Sequence, residues 1–203
     1  MPTTGDPQPD SNAGSFINLV ERVQSCRLCP RMEGRTRVLS HANGNLQARI
    51  LFVAEAPGRL GADRSGVPLS GDQSGRNFAA LLAAAGIERS SIFATNAVLC
   101  NPRDERGNNA PPNTRELRNC SAHLAATIDI VQPGYVVALG VAALKSLALV
   151  CPHEAILARD VGRAIEWNGR VLVPLYHPGP RALIHRPMSV QMADYVKLGQ
   201  LAG

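Results

Sequence analysis

The chain is predicted to fold as an α/β protein whose parallel sheet is covered on both faces, and three observations carry that prediction. Four apolar runs stand at wide intervals, helix-like segments with their own start and stop signals lie between them, and 203 residues suit one domain of this class. A chain of this length removes about 70% of its unfolded surface from water, so a core forms without disulfide staples. The hydrophobic content of 45% agrees.

Taken in order, residues 1–14 are polar and rich in Pro, Gly, Asp and Ser, and read as a disordered tail ahead of a single domain over 15–203. Ser15 to Cys26 carries Phe16, Leu19, Val20 and Val23 at helical spacing. Arg49 to Ala54 (RILFVA) is the first expected strand. Ser74 to Ala85 places Phe78, Leu81, Leu82 and Ala85 on one helical face, with Asp72 or Ser74 as N-cap and Gly86 as the stop. Ser91 to Ala97 is the second strand. Residues 101–113, NPRDERGNNAPPN, form one long polar loop, and loops of that length often carry function. Asn113 and Glu116 make a capping pair for a helix running to about Val131. Tyr135 to Leu139 and Arg170 to Tyr176 are the third and fourth strands, and Gly140 to Val150 and Met188 to Leu201 are further helices. There is no internal repeat.

Composition excludes several classes. No window approaches the roughly 18 apolar residues of a membrane span, and the polar start does not read as a secretory signal, so a soluble, cytoplasmic protein is expected. Lys and Arg number 21 against 16 acidic residues, a net charge of +5 that suits a polyanionic partner. The aromatic content of 4% argues against a coat for single strands, which needs many stacking rings. The five cysteines are an odd number, and a metal site is the better reading than a disulfide framework. Cys26-x-x-Cys29 has the bite for one metal centre, Cys100 lies just beyond a strand, and Cys120 sits on a capped helix. Four thiolates from three segments suit a structural zinc or an iron–sulfur cluster. Cys151, in an apolar setting at a helix end, reads as a buried free thiol.

In an open parallel sheet the carboxyl ends of the strands share one edge, and ligands bind there. Glu55-Ala56-Pro57-Gly58 follows the first strand, Thr95-Asn96 ends the second, Gly140 follows the third, and His177-Pro178-Gly179-Pro180 follows the fourth. A carboxylate, an amide and an imidazole, 41 and 81 positions apart, thus converge on one edge. Each alone has a plain alternative: Asn96 or His177 capping a turn, Glu55 at the surface. The shared edge favours function. Glycines at 58, 61, 66, 71 and 75 let backbone approach a phosphate or a base edge at a helix start, but the stretch lacks a Walker lysine, so nucleotide hydrolysis is not supported.

Glu55-Ala56-Pro57-Gly58, the run from Gly66 to Asp72, Thr95 to Cys100, and His177-Pro178-Gly179 together resemble the uracil-DNA glycosylase superfamily, and more narrowly its iron–sulfur families 4 and 5. The resemblance spans about residues 20 to 200. Glu55 before Ala-Pro-Gly is similar to family 4, whereas the loop length to Leu69 and Ser-Gly-Asp-Gln-Ser-Gly are similar to family 5, which marks a divergent member. It implies a three-layer α/β/α sandwich with a four-stranded parallel sheet, and a structural 4Fe-4S cluster on Cys26, Cys29, Cys100 and Cys120. It implies a DNA-repair enzyme, nucleoid-associated when bound to DNA and acting as a monomer, which flips a deaminated nucleotide from the duplex and cleaves its N-glycosidic bond. Asn96 would read the O4 and N3–H edge of uracil, with Ala56, Gly58 and Leu69 around the base. His177 would donate to O2, and Glu55, with Asp72 second, would orient water and stabilise the sugar cation. Arg181, His185 and Arg186 would contact DNA, with Leu183 as wedge, and Arg103 and Arg106 as weaker candidates. The alternatives are a non-catalytic iron–sulfur DNA-binding module and a glycosylase for hypoxanthine or xanthine. Where families 4 and 5 place a ring to stack on the base, this chain has Leu69, unless Phe78 or Tyr176 stacks instead.

Overall fold

Runs such as ILFVA have no polar side, so they are stable only as strands with apolar partners above and below. The computed structural model, which describes residues 9–203 and side chains from residue 12, places them so. Strands β1 (Ile50–Ala54), β2 (Ile92–Asn96), β3 (Tyr135–Leu139), β4 (Ile165–Trp167) and β5 (Arg170–Leu175) form one sheet in the order β2-β1-β3-β5-β4. β1, β2, β3 and β5 are parallel. The fourfold sheet expected from sequence thus gains a fifth, antiparallel edge strand. β4 turns into β5 through Asn168 and Gly169, both at positive φ (50° and 70°), and its three residues are too few to show an alternation in the sequence.

Helices cover both faces. Leu51, Val53, Phe93, Val136 and Ala138 pack against α1 (Pro9–Ser25), α4 (Thr114–Val131) and α5 (Val141–Val150). Phe52, Ala54, Ala94, Val137 and Leu139 pack against α3 (Gln73–Ala84) and α8 (Met188–Ala202). On that second face Phe78 meets Phe52 edge-on at 5.1 Å, and Tyr195 stacks on Phe52 at 6.1 Å. Fully burying one such ring contributes about 1.5–3 kcal/mol, so these three decide where α3 and α8 sit. The layers are α/β/α, as the sequence implied.

Several boundaries differ from expectation. α1 begins at Pro9, inside the stretch read as a tail, while residues 1–8 lie outside the described residues. The short helices α2 (Ala62–Ser65), α6 (Leu157–Asp160) and α7 (Pro180–Leu183) carry too few residues to show a period. The expected capping of α4 is present in both directions, Asn113 accepting from the Glu116 N–H and Glu116 accepting from the Asn113 N–H. Cys151 is half-buried rather than buried. No helix among the described residues is long and apolar enough to cross a membrane.

Candidate active site

The carboxyl ends of β1, β2 and β5 surround a cavity of about 380 Å³, within the usual range for small-ligand sites. Glu55, Ala56, Gly58, Leu69, Asp72, Asn96 and His177 all line it, and so does Arg181, which the sequence placed against DNA.

His177 lies two residues beyond β5, and its turn is fixed from beneath. The Asn77 amide donates to the Pro178 carbonyl at 2.7 Å, and Gln73 donates to Asn77 at 2.8 Å. The Gly179 N–H donates to His177 Nδ1 at 2.9 Å. With Nδ1 accepting, the proton of the neutral ring belongs on Nε2. Only glycine fits at 179, since a Cβ there would stand 2.8 Å from Nδ1. Burial pushes the imidazole down to about 4, against a weaker upward pull from the Asp72 carboxylate. His177 is therefore a neutral hydrogen-bond donor at physiological pH.

Asn96 ends β2, in register with Ala54 of β1. It is 3% exposed, and its Nδ2 is buried with no partner. Leaving a buried donor unpaired costs about 1–3 kcal/mol, which a ligand carbonyl in the cavity would recover.

The two carboxylates occupy different situations. Asp72 caps α3 by accepting from the Gly75 N–H at 2.9 Å. Its Oδ2 fills the space beside Gly58 and Gly61, where a Cβ would come within 2.7 Å. The Glu55 carboxylate has no hydrogen-bond partner among the described residues, and burial raises its pKa while the Arg181 guanidinium partly offsets this. Asp72 is built into the loop, and Glu55 is left available.

Leu69 adopts a left-handed backbone (φ 52°), which costs a side-chain-bearing residue about 1–2 kcal/mol. No Phe, Tyr or Trp ring lines the cavity among the described residues. Phe78 is in the core, and Tyr176 lines a different cavity, so neither replaces the missing ring.

Sequence reasoning missed Asn101 and Asn109, which the long polar loop folds into the cavity wall. Asn101, 1% exposed, donates to the Pro57 carbonyl at 2.6 Å and to Asn109 Oδ1 at 3.0 Å. Arg103 donates to Asn101 at 2.7 Å and pairs with buried Asp63 at 2.6 Å, so it is an interior tie rather than a DNA contact. The only signal was the loop's length and its asparagines.

At the mouth, Arg181 is exposed on α7. Leu183, expected as the wedge, is half-buried, and its neighbour Ile184 is the protruding residue, 80% exposed. His185 is exposed but lines a neighbouring cavity. Arg186 departs from its expected role: it bonds Asp194 through Nη2 at 2.6 Å and also through Nε, and lies over the Tyr176 ring. It ties the segment after α7 to α8.

Cys26, Cys29, Cys100 and Cys120 line a separate cavity of about 280 Å³ as free thiols. Burial pushes Cys100 up to about 11 and Cys120 to about 12. Asn119 donates to Cys29 Sγ at 3.3 Å. No three His, Cys, Asp or Glu side chains among the described residues converge to hold a single metal ion. Four cysteines around one cavity form an all-sulfur donor set. An all-sulfur set suits a soft metal centre.

A model of the family described as the Uracil DNA glycosylase superfamily matches residues 41–196. A Type-4 uracil-DNA glycosylase of Thermotoga maritima is 36% identical over 159 residues, 78% of each chain. One from Archaeoglobus fulgidus is 30% identical over 196 residues, covering 93% of this chain and 94% of the relative. A Type-5 uracil-DNA glycosylase of Thermus thermophilus is 31% identical over 157 residues, 63% of this chain and 69% of the relative. With similarity of that extent laid over a parallel-sheet edge that carries Glu55, Asn96 and His177 into one cavity, the chain belongs to the uracil DNA glycosylase superfamily.

Proposed function

We propose that the protein excises uracil from DNA by hydrolysing the N-glycosidic bond of a nucleotide flipped into the 380 Å³ cavity. The observation that carries this reading is the pairing of an unpartnered, buried Asn96 amide with a neutral His177 Nε2–H at one cavity. A base with carbonyl groups on its edge satisfies both. The relatives bearing the names Type-4 and Type-5 uracil-DNA glycosylase support it.

Chemistry follows from the donors. Asn96 holds the O4 and N3–H edge, and His177 donates to O2, where negative charge accumulates as the bond to the sugar breaks. A preorganised donor of this kind contributes about 3 kcal/mol to the transition state. Glu55 positions the attacking water and stabilises the cationic sugar, and Asp72 holds the glycine loop and the field around His177. Arg181 contacts phosphate, and Ile184 enters the space left by the flipped nucleotide. Cys26, Cys29, Cys100 and Cys120 would hold a 4Fe-4S cluster, which would crosslink three segments and take no part in the hydrolysis. The single domain over 15–203 acts on DNA as a monomer.

One observation favours a second reading, a pocket tolerant of bulkier deaminated bases such as hypoxanthine or xanthine. Leu69 offers no π-face, and stacking a base on a ring contributes about 1–3 kcal/mol. Base release from duplexes containing uracil, hypoxanthine or xanthine, read by alkaline cleavage of the abasic site, tests both. Uracil release is expected to be modest, and Leu69→Phe to raise it. Fast, uracil-specific release that Leu69→Phe leaves unchanged or lowers removes the stacking argument, and no release of any base leaves only a DNA-binding module.

A further inference from the structure

The segment from Pro180 to His185 is a ridge with a cavity on each side. Pro180, Arg181 and Ala182 line the cavity that holds Asn96 and His177. On the other side, Val141, Leu144, Lys145, Ile156, Tyr176 and His185 line a second cavity of about 520 Å³. Both open at the same edge of the sheet, because Val141 starts the helix after β3 and Tyr176 directly precedes His177. Gly140 joins them closely: a Cβ there would lie 3.7 Å from that of His177.

We propose that this second cavity receives the base on the opposite strand that loses its partner when uracil leaves the stack. The inference rests on the uracil-excision reading above. The walls are suited to a flat, mostly apolar ring: Val141 and Ile156 stay 53% and 55% exposed, and the Tyr176 ring lines the cavity with Arg186 over it. Lys145, His153 and His185 also line it, with no carboxylate among the lining residues, which suits a base carried on a polyanionic strand. Ile184, on the ridge itself, is 80% exposed. A helical turn with its side chains is about 10 Å across, so the ridge can stand between two separated partners of one pair. With Ile184 in the gap left by the flipped nucleotide, the opposite base has no pairing partner, and the second cavity offers it an apolar surface at the same edge.

The test compares uracil release from single strands, from duplexes with guanine opposite uracil, and from duplexes in which that nucleotide is an abasic spacer. Single-strand release reports the uracil reading by itself: its absence rejects that reading rather than this one. In the unmodified protein the spacer is expected to raise KM for duplex by about fivefold, the lower end of what stacking one base contributes. Ile156→Glu and Lys145→Ala, both at exposed positions, should each lower the ratio of duplex to single-strand kcat/KM and abolish the response to the spacer. A duplex carrying 2-aminopurine opposite uracil gives an independent reading, since its fluorescence on binding should change between the unmodified protein and Ile156→Glu. Equal KM for guanine and spacer duplexes, or a spacer response retained in both variants, overturns the proposal. Loss of the guanine-duplex rate in the variants with no spacer effect in the parent assigns the surface to another partner and overturns it equally.

Discussion

His177 and Glu55 meet the same cavity with opposite departures from their ordinary ionisation, and the consequences have opposite signs. The imidazole value is depressed to about 4, so the folded state disfavours the charged ring. Its contribution to stability is complete above the ordinary value of about 6.5 and is lost as pH falls toward 4. Activity should show no titration of His177 between pH 5 and 8. His177→Ala and Asn96→Ala should each lower the single-turnover rate of base release at least about tenfold with little change in duplex binding, because their bonds strengthen as charge reaches the base. Rates within twofold of the parent would mark both as turn caps. The Glu55 value is raised, so its carboxylate should be lost, and the rate with it, at a pH above the usual glutamate midpoint of about 4.3. Removing the offsetting cation with Arg181→Ala should move that acid limb upward, and a limb that stays or moves down contradicts the assignment. Glu55→Gln should abolish most activity yet raise thermal stability at neutral pH, where the folded state carries an unfavourable charge. The three chemical side chains were legible in the sequence because each follows an apolar run. Asn101 and Asn109 were not, since nothing periodic surrounds them.

The elements around the mouth divide between contact and support. Arg181 is exposed on α7, whereas Arg186 is committed to Asp194, with side-chain exposures of 23% and 12% for that pair. Arg181→Ala should therefore reduce the salt dependence of duplex binding by about 0.9 in slope, the loss of one phosphate contact. Arg186→Ala should leave the slope and lower the melting temperature by about 2–4 °C for each kcal/mol lost. The reverse pattern would restore Arg186 to the DNA interface. The ion pair could not be foreseen, because it spans Pro187 between two helices whose relative angle no local pattern encodes. β4 escaped notice for want of length, and α3, with Phe78 and Leu82 inward and Gly86 at its end, was read within one residue at either end.

At the scale of the molecule, three chain segments meet at the cysteine cavity, far apart in sequence from one another and from His177. Purified protein is expected to be brown and to contain iron and sulfide, and stoichiometric zinc without iron after anaerobic purification would overturn the cluster. Cys120→Ala should lose iron and solubility, and Cys151→Ala neither, since Cys151 lies outside that cavity. The Asn96 amide has a last consequence for the working cycle. The donor left unpaired in the empty enzyme meets a carbonyl edge that the base keeps once it is freed. Liberated uracil should therefore return to the empty cavity and inhibit competitively, and base release that added free uracil leaves unchanged would contradict this.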